Sequence, residues 1–115
     1  MEQVAIIGAG PGGAALLKTL LDSPEVRILG IADLDQQSPG IRLARQNGIF
    51  TTRDFRDLLR KPGKKIIFDA TGSSAVAAEL AAAVGAEVVQ VVGRRFILYR
   101  HSEKLAKAGR DLRLP

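Results

Sequence analysis

Three glycines and one aspartate carry the clearest chemical signal in this 115-residue chain. Gly8, Gly10 and Gly13 fit the pattern G-x-G-x-x-G within Gly8-Ala9-Gly10-Pro11-Gly12-Gly13. A bend free of side chains that opens a helix aims unpaired amides at an anion, above all a diphosphate. Gly8 permits the tight exit from a strand, Gly10 leaves room for close backbone approach, and Gly13 lets the helix pack on the sheet. Pro11 donates no amide but suits the first helical position, while Gly12, Gly13 and Ala14 keep theirs. Asp33 follows Gly13 by twenty residues, the spacing at which this pattern sets a carboxylate against ribose hydroxyls. Such a carboxylate accepts from both hydroxyls and repels a 2′-phosphate, so the expected ligand is NAD or NADH, with NADP disfavoured. The alternative is a tight βα turn with Asp33 as a solvated strand end. Ala14-Ala15 stand where a Walker A loop needs Lys and Ser or Thr, which argues against ATP hydrolysis.

These residues need a strand before the bend, a helix after it and a second strand ending at Asp33, and the hydrophobic pattern supplies all three. Val4 to Ile7 is an apolar run that stops at Gly8, and Leu16, Leu17, Leu20 and Leu21 follow at helical spacing. Ser23-Pro24 breaks that helix, and Val26 to Ala32 reads as strand 2. Ser38-Pro39 opens a second helix that closes near Asn47-Gly48, and Ile49 to Thr51 is a third strand. Thr52 is the expected cap of a third helix, which Lys61-Pro62-Gly63 ends. Ile66 to Phe68 is strand 4; Ser73 or Ser74 caps an alanine-rich helix running to Val84, with Gly85 beyond it, and Val88 to Val92 is strand 5. Arg94 to about Gly109 reads as a final helix. Helices between successive strands, without hairpins, predict an α/β Rossmann-type doubly wound parallel sheet of about five strands, order 3-2-1-4-5, with helices on both faces. Strand 4 ends before Thr71, Gly72 and Ser73, which the strand-end rule makes candidates for the nicotinamide side of the crevice.

Composition narrows the classes. The chain is 46% hydrophobic but 4% aromatic, as expected of buried parallel strands under small-residue helices. It has no cysteine, which excludes a disulfide framework, a thiolate metal site and a cysteine nucleophile. No apolar stretch reaches membrane-span length and no basic leader precedes the first strand, so the expectation is a soluble cytoplasmic chain. The net charge of +5 is localised: residues 1–93 hold ten Lys/Arg and ten Asp/Glu, and residues 94–115 hold seven against two. The expected division is a dinucleotide-binding domain over 1–93 and a basic C-terminal helix over 94–115, either part of that domain or an exit linker. Such a segment is more often a solvated helix face than a nucleic-acid contact.

Residues 4–93 resemble the NAD-binding domain shared by the glucose-fructose oxidoreductase family, homoserine dehydrogenase, dihydrodipicolinate reductase and acylating acetaldehyde dehydrogenase. The resemblance rests on VAIIGAGPGG, ILGIADLD, GIFTTRDFRDLL and IIFDATGSSAVAAELA. Similar modules stand at the N-terminus of some bacterial sensor kinases, where SPGIRLARQNGI is a familiar second helix. The resemblance implies NAD binding through Gly8, Gly10, Gly13 and Asp33. One departure bears on chemistry. The glucose-fructose oxidoreductase family follows strand 5 with Glu-Lys-Pro, whose lysine assists hydride transfer, whereas this chain has Val92-Gly93-Arg94-Arg95. Arginine stays protonated and is a poor acid/base substitute.

No residue is assigned to catalysis. His101, the single histidine, falls in the basic tail away from the glycine bend. Leu98, Leu105 and Leu112 recur every seven residues, a short seam that would suit a homodimer or the connection to a downstream signalling or catalytic domain. The leading expectation is an NAD(H)-binding regulatory or sensory module without its own catalytic domain. Two alternatives stay open: the cofactor-binding part of an NAD-dependent dehydrogenase or reductase, and a ligand-free scaffold with a basic interaction helix.

Overall fold

The computed structural model describes residues 1–83, 86–92 and 95–98. Five parallel strands form the sheet: β1 (Glu2–Ile7), β2 (Val26–Ala32), β3 (Thr51–Thr52), β4 (Lys65–Asp69) and β5 (Ala86–Val92). A sixth, β6 (Arg95–Leu98), runs antiparallel to β5, and the spatial order is β3-β2-β1-β4-β5-β6. The parallel part has the expected order 3-2-1-4-5. Helices α1 (Pro11–Leu21), α2 (Pro39–Gln46), α3 (Arg56–Leu59) and α4 (Ser74–Ala82) make the crossovers.

Alternate residues of the central strands feed two layers, as the two-residue period of a strand requires. Val4, Ile6, Ile66 and Phe68 pack on one face with Leu16, Leu17 and Leu20 of α1 and Ile41 and Ala44 of α2. On the other, Ile7, Ile67 and Val88 pack with Leu80 of α4, with Phe55, Leu59 and Val76 against them, while Ala5, Leu29 and Ala32 meet Leu58 of α3. Among the described residues no helix is long and apolar enough to cross a membrane.

Strand register sets the level at which the loops leave the sheet. Ile7 pairs with both Ala32 and Asp69, and Ala32 pairs with Thr52. The next residues, Gly8, Asp33, Ala70 and Arg53, therefore emerge side by side along one edge of the sheet.

Three local expectations change. The helix expected from Arg94 does not form over residues 95–98, which are strand β6. Its Phe-Ile pair favours a pleated surface, and β5 offers it a free ladder, with Val92 opposite Arg95. Residues 99–115, including His101, Leu105 and Leu112, lie outside the described residues, as do Val84 and Gly85. Helix α3 begins at Arg56 rather than beside Thr52, and the Thr52 hydroxyl is shared between the preceding turn and the first turn of α3. It accepts the Asp54 amide at 3.1 Å and donates to Asp57 Oδ2 at 2.5 Å. Ser38 does occupy the N-cap position of α2, yet its buried hydroxyl makes no hydrogen bond among the described residues.

Candidate functional site

The glycine bend has the geometry its sequence predicts. Gly8 adopts φ +96°, and a Cβ there would lie 2.8 Å from the Ala70 carbonyl, so β1 and the end of β4 tolerate no side chain between them. A Cβ on Gly13 would overlap the Gly8 carbonyl oxygen, which is how closely α1 rests on the bend. At Gly10 and Gly12 a Cβ would meet nothing within 4 Å. The space in front of these two backbones is open, as close approach by a ligand requires. Gly10 is the N-cap and Pro11 begins α1; the Ala14 amide is the one that reaches the Gly10 carbonyl, at 2.8 Å. The amides of Gly12 and Gly13 precede the first intrahelical partner and sit at the positive end of the helix dipole.

Asp33 faces the same space and is held in place by the bend itself. Its Oδ2 accepts the Ala9 amide at 2.7 Å and its Oδ1 accepts the Asp35 amide at 2.8 Å. A carboxylate offers about four lone-pair sites, so two amides leave capacity for two hydroxyls. Asp35, the next acid in the loop, accepts the Gln37 amide at 2.9 Å and shapes the loop. Gln36 braces it: Nε2 donates to the Asp33 carbonyl at 2.7 Å and to the Thr52 carbonyl at 3.3 Å. Arg45, in the last turn of α2, donates in turn to the Gln36 carbonyl and side-chain oxygen. Helix α2 also docks directly on the bend, where the Gly40 amide donates to the Ala9 carbonyl at 2.7 Å. A Cβ on Gly40 would press on Ala9 at 2.8–2.9 Å.

The crevice in front of this assembly has a volume of about 760 Å³. It is lined by Ile7, Gly8 and Gly10 from the bend, Ala32 to Leu34 after β2, Arg53 to Arg56 after β3, and Ala70, Thr71, Ser73 and Val76 beyond β4. Thr71 and Ser73 thus join Gly8, Gly10 and Asp33 in one cavity. Gly72 does not line it; φ of +65° gives it the role of turning the chain between them. Asp69 Oδ1 accepts the Thr71 amide at 3.0 Å and hydroxyl at 2.6 Å, and Thr71 Oγ1 accepts the Ser73 amide at 3.1 Å. Ser73 then caps α4 by accepting from the Val76 amide at 3.2 Å, as expected of one of the two candidate serines.

The wall contributed by residues 53–56 is absent from the sequence reading. Its signal was available, because these residues follow a strand at the ligand end of the sheet. Arg56 is fixed there by Asp54 at 3.1 Å and by Glu79 of α4 at 2.6 Å, with its guanidinium 4.8 Å from the Phe55 ring centre. The Arg56 backbone amide, then its guanidinium, hold the Asp54 carboxyl below its usual range. The hydrogen bond to Glu79, ahead of that to Asp54, raises Arg56. Among the described residues no group of three His, Cys, Asp or Glu could hold a metal ion.

A parallel sheet in the order 3-2-1-4-5, with a glycine bend under a helix N-terminus and a carboxylate at the next strand end, defines a Rossmann-type domain with a crevice at the ends of its strands. No family model matches the chain. It is similar to acetaldehyde dehydrogenase of Chloroflexus aurantiacus, 39% identical over 75 residues, and to that of Geobacillus genomosp. 3, 40% identical over 75 residues. Each match covers 64% of this chain and 25% of the relative, so the chain spans about a quarter of the length of these curated relatives. Among solved structures it is similar to GenD2 from gentamicin A biosynthesis in complex with NAD, with a TM-score of 0.67 and 26% identity. That match covers 77% of this chain and 26% of GenD2.

Proposed function

We infer that this chain binds NAD or NADH and is the cofactor-binding part of an NAD-dependent dehydrogenase or reductase. The observation that carries the reading is the open space over Gly10 at the start of α1, in the same crevice as the Asp33 carboxylate. The residues fit the group: the α1 amides face a diphosphate, Asp33 takes the adenosine ribose, and Thr71 and Ser73 line the path towards the nicotinamide. Bound NAD would supply the hydride chemistry, and the residues named here bind and orient it. The likeness to acetaldehyde dehydrogenases and to an NAD complex supports this reading over the regulatory or sensory one.

A thermal-shift panel of NAD, NADH, NADP, coenzyme A, S-adenosylmethionine and FAD tests it. A ligand at a hundred times its Kd stabilises a fold by about 2.7 kcal/mol. NAD and NADH should raise the midpoint at millimolar concentration. Unmoved curves for every dinucleotide, with the protein folded, would overturn the reading.

A further inference from the structure

We propose that Arg53 admits a 2′-phosphate at the adenosine end of the crevice, so that the site accepts NADP as well as NAD. The inference rests on the dinucleotide reading above and adds a residue that sets cofactor preference.

Arg53 is twenty residues from Asp33 in sequence, but sheet register brings the two together. Ala32 pairs with Thr52, so Asp33 and Arg53 leave neighbouring strands at one level. The Asp33 amide donates to the Thr52 carbonyl at 3.1 Å, and Gln36 Nε2 donates to the same oxygen at 3.3 Å. Both side chains line the crevice, with Leu34 beside them.

The charges divide unevenly. Of the two guanidinium groups in the lining, Arg56 is committed to Asp54 and Glu79. Arg53 is exposed and has no ion-pair or hydrogen-bond partner among the described residues. Asp33, which alone would repel a 2′-phosphate, already accepts amides on both oxygens, which disperses its charge. Leu34, 77% exposed, adds no charge of either sign. A phosphate on the 2′-oxygen of a ribose held by Asp33 would lie at the end of the crevice that Asp33 and Arg53 line together. There a guanidinium gives it two charge-assisted hydrogen bonds in one plane.

Isothermal titration of NAD and NADP into the native chain, Arg53→Ala and Arg53→Lys provides the test. The native chain should bind both cofactors. In Arg53→Ala the ratio of the NADP to the NAD dissociation constant should rise about tenfold or more, the loss of a charge-assisted contact. Arg53→Lys, which keeps the charge but not the fork, should fall between them. A ratio that stays within about twofold of native, including equal weakening of both cofactors as from stacking on the adenine, would overturn the proposal while leaving dinucleotide binding intact. So would NAD binding by a native chain that ignores NADP. Absence of binding by both would overturn the dinucleotide reading and this proposal together.

Discussion

Gly10 and Gly13 belong to one motif and are glycine for different reasons, which makes them separable by mutation. Gly13 is required by the fold, since a Cβ there collides with the Gly8 carbonyl in a bend that cannot widen without moving β1 off Ala70. Gly13→Ala should destabilise the protein by about 3 kcal/mol or more, lowering the thermal midpoint by at least about 10 °C. Gly10 has φ −68°, which any residue adopts, and open space where its Cβ would be. Gly10→Val should therefore melt within about 3 °C of the native chain and yet lose NAD affinity by about tenfold or more, as read by calorimetry. Melting and titration of the pair check both halves. Equal loss of stability in the two variants would show that Gly10, too, is there for packing. At this scale the packing of the bend was legible, because the glycine spacing between a strand and a helix anticipated the crowding at Gly8 and Gly13 and the open space at Gly10. Arg53 could be placed at the ligand end of the sheet by the strand before it, but not beside Asp33, because nothing local says that Thr52 pairs with Ala32. Asp33's two amide bonds were not legible either, since they depend on how the bend folds back on the strand end.

At the scale of elements, the parallel strands and first two helices could be read from apolar runs and breakers, and the departures are local. The Thr52 hydroxyl is shared between the turn before the four-residue α3 and the first turn of that helix, and β6 follows from an apolar stretch lying beside an open strand edge. What pattern could not reveal is that α3 and α4 are tied at the crevice mouth through Arg56 and Glu79, 23 positions apart. The Asp54 carboxylate, below its ordinary value of 3.8 chiefly through the Arg56 amide, marks this corner. A carboxyl whose native value is depressed binds its proton more readily when unfolded. Its contribution to stability is therefore fully present above pH 3.8 and is lost as the pH falls through the lower native value. Asp54→Asn should be less stable than the native chain near about pH 6 and converge with it near about pH 2 in urea denaturation. A difference that persists at the acid end would assign the effect to packing instead of charge. The exposed setting keeps it small.

Over the described residues, the molecule has one helical layer on each side of one sheet, and the crevice is where both layers reach the same space. The first layer contributes the amides at the start of α1 and, through α2, the loop that holds Asp33. The second contributes the wall from Phe55 to Val76. This convergence is a consequence of winding, since crossovers to opposite faces begin beside β1, and that much follows from the strand order expected of the sequence. The makeup of the far wall does not, because it comes from two separated stretches, the residues after β3 and the segment from Ala70 to Val76. A dinucleotide spanning the crevice should therefore act on the fold as a brace between the two layers. Its stabilisation should grow logarithmically with free NAD above Kd, reaching about 2.7 kcal/mol at a hundredfold excess. Hydrogen exchange locates the brace. Gly12 and Gly13 amides on one side, and Thr71 and Ser73 amides on the other, should slow together and with the same NAD dependence, while the strand ends far from the crevice respond only as global opening is suppressed. Protection confined to the α1 side would mean that the ligand rests on the glycine bend without reaching the second layer.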